Sequence, residues 1–226
     1  MNTAAAFTDI RIGVLFLGRK RPGFDQQWGA GMEKRAMASA ALQRFSIVTT
    51  QKVVDETTLH DAVSECRRKN VTVLLTLQTT MADARLAPTL SQLWPDPVLL
   101  WATPEKPEGD MISSCSLVGV HAWASIFRQM KQPFEVIYGA PESAETDQRL
   151  EAAVRLCFSC SKLRRARIGV IGGQAPGYFA MSADLFSVHG GLGAQIQPYS
   201  LVQFSDTVNN LDDAAVAADV AQFQSL

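Results

Sequence analysis

The sequence IRIGVLFLG, residues 10–18, decides the fold of this protein. Its apolar and β-branched residues predict a buried strand that runs into a glycine-bearing loop. Similar runs recur along the chain and alternate with helical patterns, which is typical of βα units and a mainly parallel sheet. We therefore predict an α/β protein with a Rossmann/flavodoxin-like, doubly wound parallel sheet. Its predicted strands are Ile10–Leu17, Ser46–Thr49, Val71–Leu77, Val98–Ala102, Phe134–Tyr138, Arg167–Ile171 and Gln195–Pro198.

Helical patterns occupy most of the chain between these strands, at residues 26–43, 59–69, 81–93, 118–131 and 144–163. Thr58 and Ser143 stand just before two of these helices and are their predicted N-caps. The last helix contains Cys157 and Cys160, a spacing that also occurs in redox and zinc sites. Because the pair lies on an apolar helical stripe, with no second CxxC and no nearby histidine, we predict core packing for it.

The opening block recurs once, later in the chain. Arg11–Val14 (RIGV) is followed by Pro22-Gly23-Phe24, and Arg167–Val170 (RIGV) is followed by Pro176-Gly177-Tyr178. Chance recurrence is one explanation, and two tandem α/β domains, residues 1–142 and 143–226, are the favoured one. A doubly wound sheet usually needs four or five strands, and the second block opens only two. We therefore expect the second domain to be the beginning of a longer architecture.

Composition narrows the range of partners. The 226 residues are 47% hydrophobic and 19% charged, with 21 Lys and Arg against 22 Asp and Glu. This balance excludes a disordered chain and makes nucleic acid an unexpected partner. The N-terminal residues 1–9 lack the pattern of a signal peptide, and the apolar runs are too short to span a bilayer. We predict a cytoplasmic protein that does not bind membranes.

Ligands of parallel α/β sheets bind beyond the carboxyl ends of the strands. The loop after the first strand, Gly18–Phe24, carries three adjacent cations that could meet an anionic or polyhydroxyl ligand, or form a solvated basic loop. After the third strand, Gln78 and Thr79 could bind sugar hydroxyls, or cap a helix. Trp101, at the end of the fourth strand, is expected to belong to the core. The glycines at 172–177 do not match a dinucleotide fingerprint, so nucleotide binding there is a minor alternative, and no catalytic motif is present.

Four stretches taken together resemble the N-terminal half of the L-fucose isomerase and L-arabinose isomerase superfamily, closest to its L-fucose isomerase-like branch. They occur in the order of that family and cover nearly the whole chain. They are Ile12–Phe24, Pro97–Glu105, Ser114–Gly119 with Pro133–Glu142, and Ala166–Asp184. The resemblance implies a metal-dependent aldose–ketose isomerase that is cytoplasmic and homo-oligomeric and uses Mn²⁺ or a similar divalent ion.

The resemblance also implies which functional residues this chain holds. The metal-binding Glu, Asp and His of the family lie further along the polypeptide, so we assign no catalytic or metal-binding residue here and expect no metal to bind this chain alone. In the family that the chain resembles, the N-terminal domain contacts the sugar in the active site of a neighbouring subunit, and the resemblance implies the same role here. The predicted substrate-binding residues are Arg19 and Arg21 after the first strand, with Gln78 and Thr79 after the third. On this interpretation the chain alone lacks isomerase activity. A stand-alone module that binds a sugar or sugar phosphate for regulation is the alternative.

Overall fold

The computed structural model of the chain describes residues 9–19, 21–173, 177–178 and 182–224. The strands are β1 (Arg11–Leu17), β2 (Ser46–Thr49), β3 (Val73–Gln78), β4 (Val98–Ala102), β5 (Phe134–Tyr138), β6 (Arg167–Ile171) and β7 (Gln195–Tyr199). The helices are α1 (Gln26–Met37), α2 (Glu56–Arg68), α3 (Leu86–Leu93), α4 (Ser116–Met130), α5 (Ala144–Arg164), α6 (Leu185–Leu192), α7 (Leu201–Asn209) and α8 (Asp213–Gln224), with a 3₁₀ turn at Leu42–Arg44. All seven predicted strands are present, with ends shifted by up to two residues.

The first five strands form one parallel sheet in the order β2-β1-β3-β4-β5. Strand β1 pairs with β2 on one side and with β3 on the other, so that Ile12 lies between Ile47 and Val73. The chain therefore winds outward in both directions from the β1–β3 pair. This is the flavodoxin-like strand order, and it confirms the predicted fold class.

Both faces of this sheet are covered by helices. Alternate residues of β1 divide between two cores, with Ile12, Val14 and Phe16 in one and Leu15 and Leu17 in the other. Helices α1 and α5 cover the first face, while α2, α3 and α4 cover the second. Because helices exclude water from both faces of the sheet, β3 and β4 are apolar along almost their whole length. They do not show the alternation of apolar and polar residues that is typical of a strand with one solvent-exposed face. Trp101 is fully buried among these residues, as predicted.

The predicted N-cap of α2 is wrong. Asp55, not Thr58, is the N-cap residue, and its side chain accepts a hydrogen bond from the Thr58 amide at 2.9 Å. The Thr58 hydroxyl in turn accepts a hydrogen bond from the Asp55 amide at 3.1 Å. This reciprocal capping box starts the helix three residues earlier than predicted, because it satisfies the donors of the first turn.

The contacts divide the chain into two compact units, Met1–Ser161 and Lys162–Leu226. The division falls near the end of α5, because Leu150, Val154 and Cys157 of that helix are buried against the first sheet. The predicted boundary at 142/143 lies before this helix. Burial also raises the pKa of the Cys157 thiol to about 12, as expected for a cysteine that packs in a core.

The second unit consists of the parallel pair β6–β7 with α6, α7 and α8. Among its described residues, only Ala194 is fully buried. Large apolar side chains on its strands and helices remain exposed, including Ile171, Phe186 and Phe223. This unit therefore presents apolar surface on its sheet and on its helices.

The two RIGV blocks open their units in the same way. Each starts a strand that pairs with the next strand of its unit in parallel. Each continues to a turn whose glycine has a positive φ, +84° at Gly23 and +88° at Gly177, and then to an aspartate-capped helix. The two blocks therefore share a turn conformation as well as a sequence pattern, and the tandem origin of the two units stays a prediction. The residues between these features at 174–176 and 179–181 lie outside the described structure.

In the described parts of both units, no helix has the combination of length and apolar character that crossing a bilayer would require.

Two glycines in helices of the first unit should respond to alanine in opposite ways. A methyl group at Gly119 in α4 would overlap the buried side-chain amide of Gln78, whereas one at Gly31 in α1 would meet open space. We expect Gly119→Ala to lower the free energy of unfolding by about 1–3 kcal/mol because of overpacking. Gly31→Ala should raise it by about 0.5–1 kcal/mol, since alanine favours the helix. Urea denaturation of both variants measures the difference, and equal effects would contradict the close approach of α4 to Gln78.

Candidate functional site

The candidate site is an open groove at the carboxyl edge of the first sheet, beside the point where the strand order reverses. Such a reversal leaves a crevice because the chain leaves neighbouring strands in opposite directions. The groove has a volume of about 520 Å³. It is lined by Arg19 from the loop after β1, Lys52 and Val54 from the loop after β2, Gln26 of α1 and Asp55 of α2.

The end of β1 is anchored to both neighbouring loops. The Val53 amide donates to the Phe16 carbonyl at 2.9 Å, and the Gly18 amide donates to the Val53 carbonyl at 3.1 Å. On the other side, the Thr80 hydroxyl accepts from the Arg19 amide at 2.8 Å and donates to the Arg19 carbonyl at 3.0 Å. These bonds fix the backbone from which the Arg19 side chain enters the groove.

Glycine is required at position 18 by this crowding. A Cβ atom there would lie 2.6 Å from the Thr80 hydroxyl oxygen and 3.0 Å from Cε of Lys52. The absence of a side chain lets the threonine hydroxyl approach the β1 backbone and lets the lysine stem cross over it. The glycine that follows the fold-defining strand thus allows the polar groups of the groove to gather.

The Arg19 guanidinium is held by a carboxylate on the β3 side. Its Nη1 atom donates to Oδ2 of Asp83 at 2.9 Å, and Arg85 binds the same carboxylate at 2.6 Å. Hydrogen bonds from Arg85, and to a lesser extent the nearby Arg19 charge, lower the pKa of Asp83 to about 2. The Arg19 side chain is still 42% exposed, so it keeps donors for a ligand.

Lys52 forms a second, similar pair. Its Nζ atom lies 2.8 Å from Oε1 of Glu33, and the Thr79 hydroxyl lies 3.2 Å from the same oxygen. The lysine side chain is 36% exposed toward the groove, while Thr79 is fully buried. The groove therefore contains two half-exposed cations: Lys52 is paired with Glu33, and Arg19 is paired with Asp83, which Arg85 also binds.

Carboxylates also occupy the helix N-termini that follow β1, β2 and β4. Asp25 accepts from the Trp28 amide at 2.9 Å at the start of α1, and Asp55 caps α2 as described above. At α4, Glu105 accepts from the amides of Ser114, Cys115 and Ser116 at 2.8, 3.1 and 3.0 Å. The positive ends of these three helix dipoles are thus neutralised from within the chain.

The Glu105 carboxylate is the most heavily bonded of the three, since it also accepts from the hydroxyls of Ser113 and Ser114. Desolvation by itself would raise the pKa of Glu105, but the hydrogen bonds from Ser113, Ser114 and Cys115 outweigh it and lower that pKa. The backbone of Cys115, whose amide donates to this carboxylate, is in the left-handed region at φ +50°. Glu105 therefore fastens the loop after β4 to the start of α4.

The four predicted substrate-binding residues occupy different environments. Arg19 lines the groove. Thr79 is buried below the groove, and its hydroxyl contacts the Glu33 carboxylate that pairs with Lys52. Gln78 is buried, and its side-chain oxygen accepts from the Ala82 amide at 3.0 Å. Arg21 is half-buried in the turn that follows β1, and the described lining of the groove does not include it. Lys20, between the two arginines, lies outside the described residues.

Lys52 and Glu33 are the functional candidates that the sequence interpretation missed. Lys52 follows β2, so the rule applied to the ends of β1 and β3 would also have found it there. Glu33 gives no such signal, because it lies in the middle of α1 and meets the site only through tertiary packing. Among the described residues, no group of three or more His, Cys, Asp or Glu side chains could hold a metal ion. The divalent ion that the resemblance implies therefore finds no ligand set in this part of the chain.

No known family model matches the chain. Three curated proteins are similar to it, and all three are sulfoquinovose isomerases. The protein of Alkalicoccus urumqiensis is 26% identical over 143 residues, which are 63% of this chain and 30% of that protein. Those of Priestia aryabhattai and Priestia megaterium are each 21% identical over 189 residues, which are 83% of this chain and 42% of theirs. The chain is thus weakly similar to sugar isomerases and spans less than half the length of these relatives.

The Glu105 contacts predict a pH-dependent stability difference. The two Glu105 oxygens together accept five hydrogen bonds, and Glu105→Gln replaces one of these oxygens by an amide nitrogen that cannot accept. The variant should lower the free energy of unfolding by about 1 kcal/mol at pH 7. Because the folded pKa lies below its ordinary value of 4.5, the carboxylate stabilises the fold above that pH and loses its effect as the pH falls through the folded pKa. The difference from wild type should therefore shrink toward pH 3.

Urea denaturation at pH 7 and pH 3 measures this difference. Glu108→Gln in the same loop is the matched control, since the described structure gives Glu108 no hydrogen bond or ion pair. A pH-independent effect of Glu105→Gln, or an equal effect of the two variants, would show that Glu105 does not fasten the loop.

Proposed function

We propose that this chain is the N-terminal part of a metal-dependent aldose–ketose isomerase and that its groove binds the sugar. The observation that carries the proposal is the pair of half-exposed cations, Arg19 and Lys52, on one groove beside the reversal of the strand order. The similarity to sulfoquinovose isomerases supports it, since those relatives are sugar isomerases. The resemblance to the L-fucose isomerase-like branch points in the same direction.

The polar groups of the groove suit hydroxyl groups. Each sugar hydroxyl both donates and accepts a hydrogen bond, so it is best satisfied where donors and acceptors alternate. Arg19 and Lys52 provide donors, while the Asp55 carboxylate and the Gln26 amide provide acceptors on the same groove. Both cations are oriented by carboxylates before any ligand arrives, which reduces the entropy lost on binding.

Aldose–ketose isomerisation transfers a proton between two adjacent carbons while the carbonyl group changes place. A divalent ion supplies the polarisation of the two oxygens in enzymes of this class. We assign the metal ligands and the general base to polypeptide outside this chain, because the described residues offer no metal site. The residues of this chain would bind the sugar hydroxyls and hold the sugar in place.

Two further observations support the proposal that this chain functions as one part of a larger protein assembly. The relatives are more than twice as long as the portion that they share with this chain. The second unit exposes large apolar side chains such as Phe186 and Phe223, which would be buried if further polypeptide continued its sheet and helices. A homo-oligomer in the cytoplasm, in which the groove meets a neighbouring subunit's metal site, completes the proposal.

An assay of the isolated chain for isomerase activity tests directly whether the catalytic groups lie outside it. Purified chain incubated with Mn²⁺ and either L-fucose or sulfoquinovose should form no ketose, because it would bind sugar without polarising its carbonyl. The assay is ketose detection by NMR, with added full-length sulfoquinovose isomerase as the positive control. Ketose formation by the chain alone would overturn the assignment of the catalytic groups to polypeptide outside it.

Sugar binding by the groove is tested separately. Titration of ¹⁵N-labelled chain with L-fucose or sulfoquinovose should shift the amide signals of Gly18, Arg19 and Val53, and this method detects millimolar affinities. Arg19→Met should weaken binding at least about tenfold, since hydrogen bonds to a charged group are lost. Arg44→Met is the matched control, because Arg44 is also paired with a carboxylate, that of Glu151, but does not line the groove. Unchanged affinity in Arg19→Met, or no shift with either sugar, would contradict the groove as the sugar site.

A further inference from the structure

Strand β6 of the second unit has a neighbouring strand on one edge only. Among the described residues, β6 and β7 form a two-stranded sheet, whereas β1 has β2 on one edge and β3 on the other. Both strands begin with RIGV, yet β1 is buried from Ile12 to Leu17 and every residue of β6 is exposed. Strand β6 therefore has the apolar pattern of a central strand without a second neighbour.

Strand β7 takes the place beside β6 that β2 takes beside β1. The isoleucine of the first RIGV, Ile12, pairs with Ile47 of β2. The isoleucine of the second RIGV, Ile168, pairs with Ile196 of β7 in the same parallel sense. The edge of β6 that remains open thus corresponds to the edge of β1 that pairs with β3.

The backbone hydrogen bonds of β1 show which residues face each neighbour. The N–H and C=O groups of one residue point to the same edge of a strand, and successive residues alternate between the two edges. The Phe16 carbonyl accepts from the Val53 amide after β2, and the Leu17 carbonyl accepts from the Thr79 amide after β3. Gly13 and Leu15 consequently share the β3 edge with Leu17.

The backbone of β6 alternates in the same phase. Gly172 follows the second RIGV at the distance at which Phe16 follows the first. Its amide donates to the Tyr199 carbonyl of β7 at 2.8 Å, so Gly172 faces β7 as Phe16 faces β2. Gly169 and Ile171 therefore direct their amides and carbonyls toward the open edge.

The outer edge of β7 is unsuited to a further strand. The Gln195 amide donates to the Ala166 carbonyl at 2.9 Å, and the Tyr199 carbonyl also faces β6. Pro198, the residue before Tyr199, consequently faces the outer edge, where it has no amide to donate. Proline is typical of edge strands for this reason. A further strand is thus expected beside β6.

We propose that the open edge of β6 is a docking site for a parallel, apolar strand. Its source is polypeptide that corresponds to the part of the longer relatives that this chain does not match. The inference rests on the proposed function, in which the chain belongs to a longer isomerase. The relatives have more than twice the length that they share with this chain. Ile168 and Ile171 are 42% and 52% exposed, and a strand with covering helices, like β3, would bury them.

A peptide with the sequence of residues 71–79 (VTVLLTLQT), flanked by lysines for solubility, serves as the probe. It contains β3, which already pairs with an RIGV strand in the first unit. Amide hydrogen exchange of the ¹⁵N-labelled chain is measured by NMR with and without the peptide. At saturation, exchange of the Gly169 and Ile171 amides should slow at least about tenfold, since both gain acceptors. The Ile168 and Val170 amides, which face β7, should change little.

Two N-methylated forms of the peptide are matched controls. The Thr79 amide points toward β1, and the alternation along β3 gives the Leu75 amide the same direction and the Thr76 amide the opposite one. N-methylation at Leu75 removes a donor to the β6 edge and should abolish the protection. N-methylation at Thr76 leaves those donors intact and should preserve it.

Three results would overturn the docking edge. These are no protection by the peptide, equal effects of the two methylated forms, and protection of Gly169 and Ile171 before any peptide is added. The last result would show that the edge is already paired, with a second copy of the chain if the protection disappears on dilution. The sugar titration that follows Gly18, Arg19 and Val53 is independent of these measurements. Sugar binding without peptide binding would leave the groove assignment intact and reject the docking edge alone, and the reverse result would reject the groove alone.

Discussion

The structure depends on the pairing of β1 with two neighbours at once. With β2 on one side and β3 on the other, β1 lies inside the sheet, and helices cover both of its faces. Every residue from Ile12 to Leu17 is consequently buried. A strand in this position has no freedom to slip, because a shift of one residue would exchange its two apolar faces. The carboxyl end of β1 is therefore a fixed point, and the groove is assembled around it.

Side chains reach that fixed point because the residue after the strand is glycine. The threonine hydroxyls from the end of β3 and the stem of Lys52 converge on Gly18, and they would collide with any larger residue. Each cation then meets a carboxylate from a different element, Asp83 after β3 or Glu33 in α1. The site is therefore a product of the sheet topology and of one small residue, rather than of a contiguous motif.

The local parts of this arrangement were predictable from sequence. Strands buried on both faces are continuous apolar runs, so their positions followed from composition, and the strand-end rule located Arg19 and Thr79. Helix α2 begins three residues before its predicted start because Asp55 and Thr58 cap it jointly, whereas its buried apolar positions begin only at Leu59. Glu33 could not be found, since nothing in the sequence of α1 marks which exposed position will face Lys52. Such pairs depend on the angle at which a helix packs, which a single sequence does not specify.

The carboxylates that cap α1, α2 and α4 have a consequence for how the groove responds to its surroundings. The pKa values of Asp25, Asp55 and Glu105 all lie below their ordinary values, and that of Asp83 is about 2. These four carboxylates therefore remain ionised from mildly acidic conditions upward. The negative charges that they place at this edge stay constant over that range. A protein that keeps its charges in this way gains no switch from a change in acidity, but it presents the same surface to its ligand throughout.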